Sequence, residues 1–284
     1  MDKIKMVVLG INILLLSGCM SLNSPKVIML LNSDKQADLS GMVKVNEQFG
    51  HSGQSSFELY GKYPTEIIAA NYIKIDPTKS YTLSAWVRSL TAKLPASAYL
   101  GIRMYDKDKR EIRIVNVSNF PNTESSLTVA AKKGDRELFI AKNPLCLEIV
   151  TCVMAFNTKP DHSDLPNYDY SSRIKKMVDN GKDYKVILSG SLNKAYPVGT
   201  TISLHSPWGA PLYHLAKGWM PVEWKHLTAT LQGIATSGAP KDKFWAGTKY
   251  VKPFIWFGNW NRKPKQGAKL LVDDFTFTET GDLK

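Results

Sequence analysis

The residues best suited to ligand chemistry are aromatic and arginine side chains on two predicted strands. The segments Ser80–Arg88 and Tyr99–Tyr105 alternate, so that one face of each strand is apolar and directed at a core. The opposite faces carry Trp86, Arg88, Arg103 and Tyr105. Flat rings can stack on the apolar face of a sugar, and guanidinium groups can bond its hydroxyls. This pattern predicts a polar groove with stacking platforms, or, if a long excursion of the chain covers it, a second core that includes Trp86.

A second group of aromatic residues lies in and before a basic stretch near the C-terminal end. Its tryptophans are Trp208, Trp245, Trp256 and Trp260. Between Lys241 and Lys269 the chain has eight basic residues and one acidic residue, a local charge of +7. Rings interleaved with lysines favour an anionic glycan as ligand, attracted in a salt-dependent way. The same charges could instead face anionic lipid headgroups or form a solvated sheet edge.

Catalytic motifs are absent from the sequence. It contains no HExxH, no GxSxG, no P-loop and no GxGxxG. Glycosidases need two carboxylates at a defined separation, which no spacing in the chain identifies. His205, Tyr213, His214 and Arg262 could supply the base and the cation of a lyase, but no lyase motif accompanies them. We expect a non-catalytic protein, with a polysaccharide lyase or glycosidase as the most distant alternative.

The N-terminal residues predict export and a lipid anchor. A basic start is followed by an apolar run from Met6 to Leu16, which is too short to span a bilayer, since a spanning helix needs roughly 20 residues. Leu16-Ser17-Gly18-Cys19 resembles the lipobox of bacterial lipoproteins. That resemblance implies cleavage of residues 1–18 and acylation of Cys19; the alternative is an ordinary cleaved signal with a chance cysteine.

The net charge and the expected location together limit the classes of partner that the protein could bind. The 284 residues carry a net charge of +12, which on its own suits nucleic acid, an anionic membrane surface or an acidic polysaccharide. A lipoprotein is held in the bacterial cell envelope by its acyl chains, with the outer membrane expected before the inner one because Met20 follows Cys19. Its globular part would be periplasmic or extracellular. We therefore expect membrane contact through the acyl chains, a polysaccharide or glycan as partner, and no nucleic acid.

The remaining cysteines, Cys146 and Cys152, leave two possibilities open. An exported protein can form disulfides, but six residues of extended strand span about 20 Å, whereas bridged Cα atoms lie within roughly 7 Å. Either the chain turns between the two cysteines, or both are buried free thiols. A zinc site is not expected, because the histidines have no ligand spacing.

The pattern along the chain predicts an all-β protein. Strands are expected at 55–60, 66–75, 80–88, 99–105, 111–117, 137–141, 149–156, 184–188, 200–205, 225–231, 250–257 and 269–278. One helix is expected at Ser171–Asn180, capped by a serine and ended by Gly181. Many short strands indicate a β-sandwich or barrel in one domain. After a tether at 19–40 this domain would span residues 41–284, with the excursion at about 132–200.

Five segments in order resemble carbohydrate-binding modules of the galactose-binding-like jelly roll, the family 4/9/22 type. They are Gly50-His-Ser-Gly-Gln-Ser-Ser-Phe-Glu-Leu59, Tyr81-Thr-Leu-Ser-Ala-Trp-Val-Arg88, Tyr105-Asp-Lys-Asp-Lys109, Trp224-Lys-His-Leu-Thr228 and Leu270-Leu-Val-Asp-Asp-Phe-Thr-Phe277. The excursion lies outside the minimal module. The resemblance implies a jelly-roll β-sandwich that binds carbohydrate without catalysis.

The resemblance also implies a structural Ca²⁺ near the loop at Gly50 and Gly53, with Asp273 as ligand. A calcium site needs six to eight oxygens, so a single carboxylate is only part of one. The leading alternative function is a structural or adhesive cell-surface protein that uses the jelly roll for protein contacts.

Overall fold

The structure is a computed structural model that describes residues 26–31, 43–53, 55–60, 65–69, 71–90, 97–149, 151–207, 213–257 and 269–282. Strands make up 48% of it and helices 4%, which confirms the all-β class. In chain order the elements are β1 Lys26–Leu31, β2 Val43–Asn46, β3 Ser56–Tyr60, β4 Thr65–Ile68, β5 Ile73–Lys74, β6 Lys79–Ser89, β7 Ser97–Tyr105, β8 Glu111–Ile112, α1 Ile114–Val117, β9 Ser125–Ser126, β10 Glu137–Ile140, α2 Pro144–Glu148, β11 Val153–Phe156, β12 Ile174–Asp179, β13 Tyr184–Leu188, β14 Thr201–His205, β15 Tyr213–Trp219, β16 Lys225–Gln232, β17 Tyr250–Phe257 and β18 Lys269–Asp282.

Two six-stranded antiparallel sheets form a sandwich-like body. The first sheet has the order β16-β6-β18-β3-β2, and β1 also pairs with β18. The second sheet has the order β15-β7-β17-β4; in addition, β5 pairs with β17 and β8 pairs with β7. Alternate residues of each sheet enter one shared core, to which β6 contributes Leu83, Ala85 and Val87 and β7 contributes Leu100, Ile102 and Met104. The side chains between them on each strand therefore face away from this core.

A separate core lies in the chain between α1 and β15. We call residues 118–206 the inserted unit; it contains two three-stranded sheets, ordered β10-β13-β12 and β11-β14-β9. Its own buried cluster includes Met154, Phe156, Val186, Ile202 and Leu204. The excursion predicted at about 132–200 is thus a folded β unit.

Specific contacts join the inserted unit to the sandwich. The Tyr168 hydroxyl donates to the Asp106 carboxylate over 3.0 Å, and the Asn116 side chain donates to the Asn167 carbonyl over 3.0 Å. Leu165 packs against the sandwich core. Asp106 also holds its own hairpin turn, where Lys109 adopts a φ of 61°.

Several predicted elements differ from the structure, among them the strand expected at 66–75, which is divided into Thr65–Ile68 and Ile73–Lys74. The helix expected at Ser171–Asn180 is wrong, because Ile174–Asp179 forms strand β12 and pairs with β13 across the turn at Gly181. The strand expected at 111–117 ends at Ile112, and the short helix α1 follows. The jelly-roll connectivity stays a prediction.

Candidate ligand-binding surface

Trp86 and Arg88 lie on the outward face of β6, as the alternation predicted. Both are half-buried. Trp86 is paired across the sheet with His226 of β16 on one side and with Asp273 of β18 on the other. The central position of β6 in the sheet therefore brings residues from three strands to one place.

Aromatic rings form a continuous group around Trp86. The His51 imidazole stacks on the Trp86 indole with ring centroids 3.8 Å apart, and the His226 imidazole stacks at 4.7 Å. Trp224 meets His51 edge-on at 5.7 Å. We call Phe49, His51, Trp86, Arg88, Trp224 and His226 the Trp86 cluster.

Arg88 is held in this cluster by rings. Its guanidinium carbon lies 5.7 Å from the ring centroid of Phe49 and 5.7 Å from that of Trp224. Its Nε is buried without a hydrogen-bond partner, and no carboxylate in the described part of the chain pairs with it. A cation positioned by aromatic faces keeps its capacity to bind an acceptor from a ligand.

Two successive carboxylates on β18 hold the loop that carries His51. Asp273 Oδ2 accepts the backbone N–H groups of His51 at 2.7 Å and Ser52 at 3.3 Å. Asp274, at a φ of 48° in a β-bulge, accepts the Ser52 hydroxyl over 2.7 Å and lies 3.2 Å from His51 Nδ1. The bulge turns both carboxylates toward one loop, which fixes the position of His51 against Trp86.

Gly50 is required in this loop for space. A Cβ at Gly50 would collide with the carbonyl group of Gly53, and neither glycine has a positive φ. Phe49, which precedes Gly50, lies next to Arg88.

The donor set around Asp273 does not fit a calcium site. Oδ2 faces two N–H groups, and Oδ1 accepts the N–H of Asp274 over 2.8 Å. These groups present hydrogens where a cation needs oxygens. Across the described residues, no group of three His, Cys, Asp or Glu side chains could hold a metal ion. Calcium at Asp273 stays a prediction that these contacts do not favour.

Arg103 and Tyr105 do not share a groove with Trp86. They lie on β7 in the second sheet, and their side chains face away from the common core on the opposite side of the sandwich. Arg103 Nη1 forms an ion pair with Glu111 at 3.2 Å, and Tyr105 is only 9% exposed. The single groove predicted from these two strands is therefore wrong, because alternation shows which face a residue is on and not which sheet holds the strand.

A smaller patch of rings and lysines occupies that opposite face. Tyr72 is 38% exposed, and Lys252 Nζ and Lys109 Nζ lie 4.4 Å and 5.0 Å from its ring centroid. Tyr105 meets Tyr72 edge-on at 4.9 Å. We call Tyr72, Lys109, Tyr250 and Lys252 the Tyr72 patch.

Two predicted ligand-binding tryptophans are internal. Trp245 is 2% exposed, packs in the sandwich core and donates its indole N–H to the Pro240 carbonyl over 3.2 Å. Trp256 is 7% exposed and packs with Phe254. Neither ring offers a face to a ligand in this structure. Trp208, Trp260 and Cys19 lie outside the described residues.

The structure adds four residues to the two predicted ones. His51, Trp224 and His226 lie in segments that resemble the carbohydrate-binding modules, but no pattern marked them, or Phe49, as ligand-binding residues. The pairing of Trp86 with His226 depends on the register of β16 against β6, which no local pattern supplies.

The cysteines and the buried histidine belong to the inserted unit. Cys146 and Cys152 are both buried free thiols, and the short helix α2 turns the chain between them. Burial raises the pKa of Cys146 to about 11 and that of Cys152 to about 12. His205 is 1% exposed, donates Nδ1–H to the Val115 carbonyl over 2.8 Å, and has a pKa lowered by burial.

No family model, curated protein or solved structure matches this chain. No helix among the described residues is both long and apolar enough to cross a membrane.

Proposed function

We propose that the protein is a non-catalytic lipoprotein of the bacterial cell envelope that binds a glycan at the Trp86 cluster. The observation that carries the proposal is the arrangement of Arg88 between the rings of Phe49 and Trp224. A carbohydrate site needs ring faces for stacking and polar groups for the hydroxyls. Phe49 is 43% exposed, so a ring face at the edge of the cluster is open to solvent.

The charge of Arg88 favours an anionic glycan. The nearby carboxylates of Asp273 and Asp274 are directed at the loop hydrogens, while Arg88 has no acidic partner in the described residues. A carboxylate or sulfate group on a sugar would accept a charge-assisted bond from the guanidinium. The proposal includes acylation of Cys19, outer-membrane anchoring and a jelly-roll sandwich, which accord with the sequence motifs.

The test is an array of neutral and anionic glycans probed with purified full-length protein at two salt concentrations. We expect anionic glycans to bind, and binding to weaken with salt. Trp224→Ala and Arg88→Gln should each reduce affinity about tenfold or more, equivalent to roughly 1.4 kcal/mol.

Matched controls come from the opposite face of the sandwich. Tyr72→Ala and Lys252→Gln alter one ring and one cation of the Tyr72 patch, and we expect binding to persist in both. If these controls lose binding while Trp224→Ala and Arg88→Gln retain it, the site is the Tyr72 patch and the proposal is wrong. Circular dichroism on each variant separates loss of binding from loss of fold.

A structural or adhesive role is the second candidate. The burial of Trp245 and Trp256 favours it, because that role expects aromatic residues to pack internally. Trp219, 55% exposed, offers a large apolar side chain for a protein contact. A full-length protein that binds no glycan on the array would support this candidate against the first.

A further inference from the structure

The inserted unit has an open cleft between two chain segments. Its walls are residues 168–172 on one side and residues 191–194 with Tyr196 on the other, and its volume is about 340 Å³. Small-molecule sites occupy about 300–1,000 Å³, so the cleft lies at the lower end of that range. It shares no residue with the Trp86 cluster.

Side-chain bonds join the two walls at both ends of the cleft. At one end the Ser172 hydroxyl accepts the Gly190 N–H over 2.8 Å and donates to the Gly190 carbonyl over 2.9 Å. At the other end Lys194 Nζ pairs with Asp169 at 2.8 Å, and the Tyr196 hydroxyl donates to the same carboxylate over 2.5 Å. A cleft fixed in this way is formed before a ligand arrives, which lowers the ordering cost of binding.

The base of the cleft is packed firmly. Ser171, Leu192 and Tyr196 are 4%, 4% and 6% exposed. The Tyr196 ring stacks on Phe156 of the inserted-unit core with centroids 3.8 Å apart. The cleft is therefore a permanent depression on a core.

The two charged side chains of the cleft neutralise each other. Asp169 accepts Tyr196 on Oδ1, and Oδ2 accepts Lys194 and the Asn157 amide. With the lysine and the carboxylate paired, the cleft attracts neither anions nor cations strongly.

The rim presents neutral hydrogen-bonding groups and one ring. Tyr170 is 37% exposed, and the side chains of Ser191 and Asn193 are exposed beside it. Hydroxyl and amide groups can both donate and accept, which matches the hydroxyls of a polyol. The Tyr170 ring supplies an apolar face of the kind that a sugar ring stacks upon.

We propose that this cleft binds an uncharged saccharide, as a second carbohydrate site independent of the Trp86 cluster. Tyr170 stacks on the sugar ring, while Asn193, Ser191 and the Lys194 ammonium bond its hydroxyls. Tyr196, Asp169 and Ser172 hold the walls of the cleft in position and do not bond the sugar.

The experiment is the same glycan array with full-length protein, restricted to its neutral glycans. We expect binding that is unchanged between low and high salt, because no net charge takes part. Tyr170→Ala and Asn193→Ala should each weaken it about tenfold. Both side chains are exposed, so neither substitution removes core packing.

Two controls separate the cleft from the Trp86 cluster. Tyr72→Ala removes a tyrosine of nearly the same exposure, 38% against 37%, and should leave neutral-glycan binding intact. Trp224→Ala should weaken anionic-glycan binding alone. Loss of neutral binding in Trp224→Ala with retention in Tyr170→Ala, or no neutral glycan bound at all, overturns the second site while leaving the first to its own test.

Discussion

The imidazole ring of His51 lies nearly parallel to the indole ring of Trp86, with 15° between the planes. His51 comes from a loop and Trp86 from the centre of a sheet, and the local sequence around each residue does not determine this geometry. The loop is held by Asp273, the direct cross-strand neighbour of Trp86. The stack is therefore a product of the β18 bulge.

Replacing Asp273 should loosen this arrangement. Asp273→Ala leaves the N–H groups of His51 and Ser52 without their acceptor, and we expect the free energy of unfolding to fall by about 0.5–1.5 kcal/mol. Urea denaturation measures the change. Asp242→Ala, at an exposed carboxylate, is the control and should shift stability by less than about 0.5 kcal/mol. An unchanged urea midpoint in Asp273→Ala would contradict the role given to this carboxylate.

Removal of calcium should have no effect on thermal stability. A bound ion stabilises the folded state by mass action, so a chelator lowers Tm wherever a structural ion is present. Since the oxygens of Asp273 accept N–H groups, we expect equal Tm values with EDTA and with added Ca²⁺. A Tm that rises with Ca²⁺ concentration would restore the calcium site implied by the family resemblance.

Glu58 should make stability depend on pH in the acidic range. Its side chain is 2% exposed, with Lys269 Nζ at 3.0 Å and Lys44 Nζ at 3.3 Å. Burial by itself raises the pKa of this carboxyl, but bonds from Asn46, Lys269 and Lys44 outweigh burial and hold it below its ordinary value of 4.5. The stabilisation is complete above that ordinary value and is lost as the pH falls through the lower folded value.

Glu58→Gln tests this dependence. At about pH 7 the variant should be less stable by about 1–3 kcal/mol, because the buried site loses its charge-assisted bonds. The difference from the parent should shrink as the pH falls below 4.5. A difference that stays constant between neutral and acidic pH would show that the charge of Glu58 makes no contribution.

The thiols of Cys146 and Cys152 should be unreactive in the folded protein. Both are buried, and with pKa values of about 11 and about 12 they carry no thiolate at neutral pH. Titration with Ellman's reagent should detect two more thiols per chain after denaturation than before it, not counting Cys19. If no thiol appears on unfolding without reductant, the two cysteines are bridged instead.

Trp245 should contribute to stability and not to binding. Trp245→Ala removes a ring buried to 98% of its surface, since 2% is exposed, and should cost about 3–5 kcal/mol. At a temperature where the variant is still folded, glycan affinity should match the parent. A loss of glycan affinity with unchanged stability would show that Trp245 belongs to the binding site.

Local sequence patterns predicted several strands of the sandwich, although β2 and β15 were not predicted. The strand expected at Ser80–Arg88 is found at Lys79–Ser89, and its alternate residues enter the core as expected. Period-two alternation survives in the structure because each of these strands has one face on the core and one face away from it.

Relations between distant segments could not be predicted in the same way. The helix expected at Ser171–Asn180 failed because pairing of Ile174–Asp179 with β13 outweighs a serine cap and a following glycine. Arg103 was assigned to the groove of Trp86 because sheet membership depends on non-local pairing. His51 was missed because its contact with Trp86 is created by a bulge elsewhere in the chain.

The pairing of β1 with β18 has a mechanical consequence for the proposed lipoprotein. Residues 20–25 separate Cys19 from Lys26, so the start of β1 can lie at most about 25 Å from the acyl anchor. β1 runs antiparallel to β18, from Lys26 opposite Glu279 to Leu31 opposite Phe275. Tension between the anchor and a glycan held at the Trp86 cluster would load this ladder along the strand direction, so its hydrogen bonds would share the force and would not open one after another.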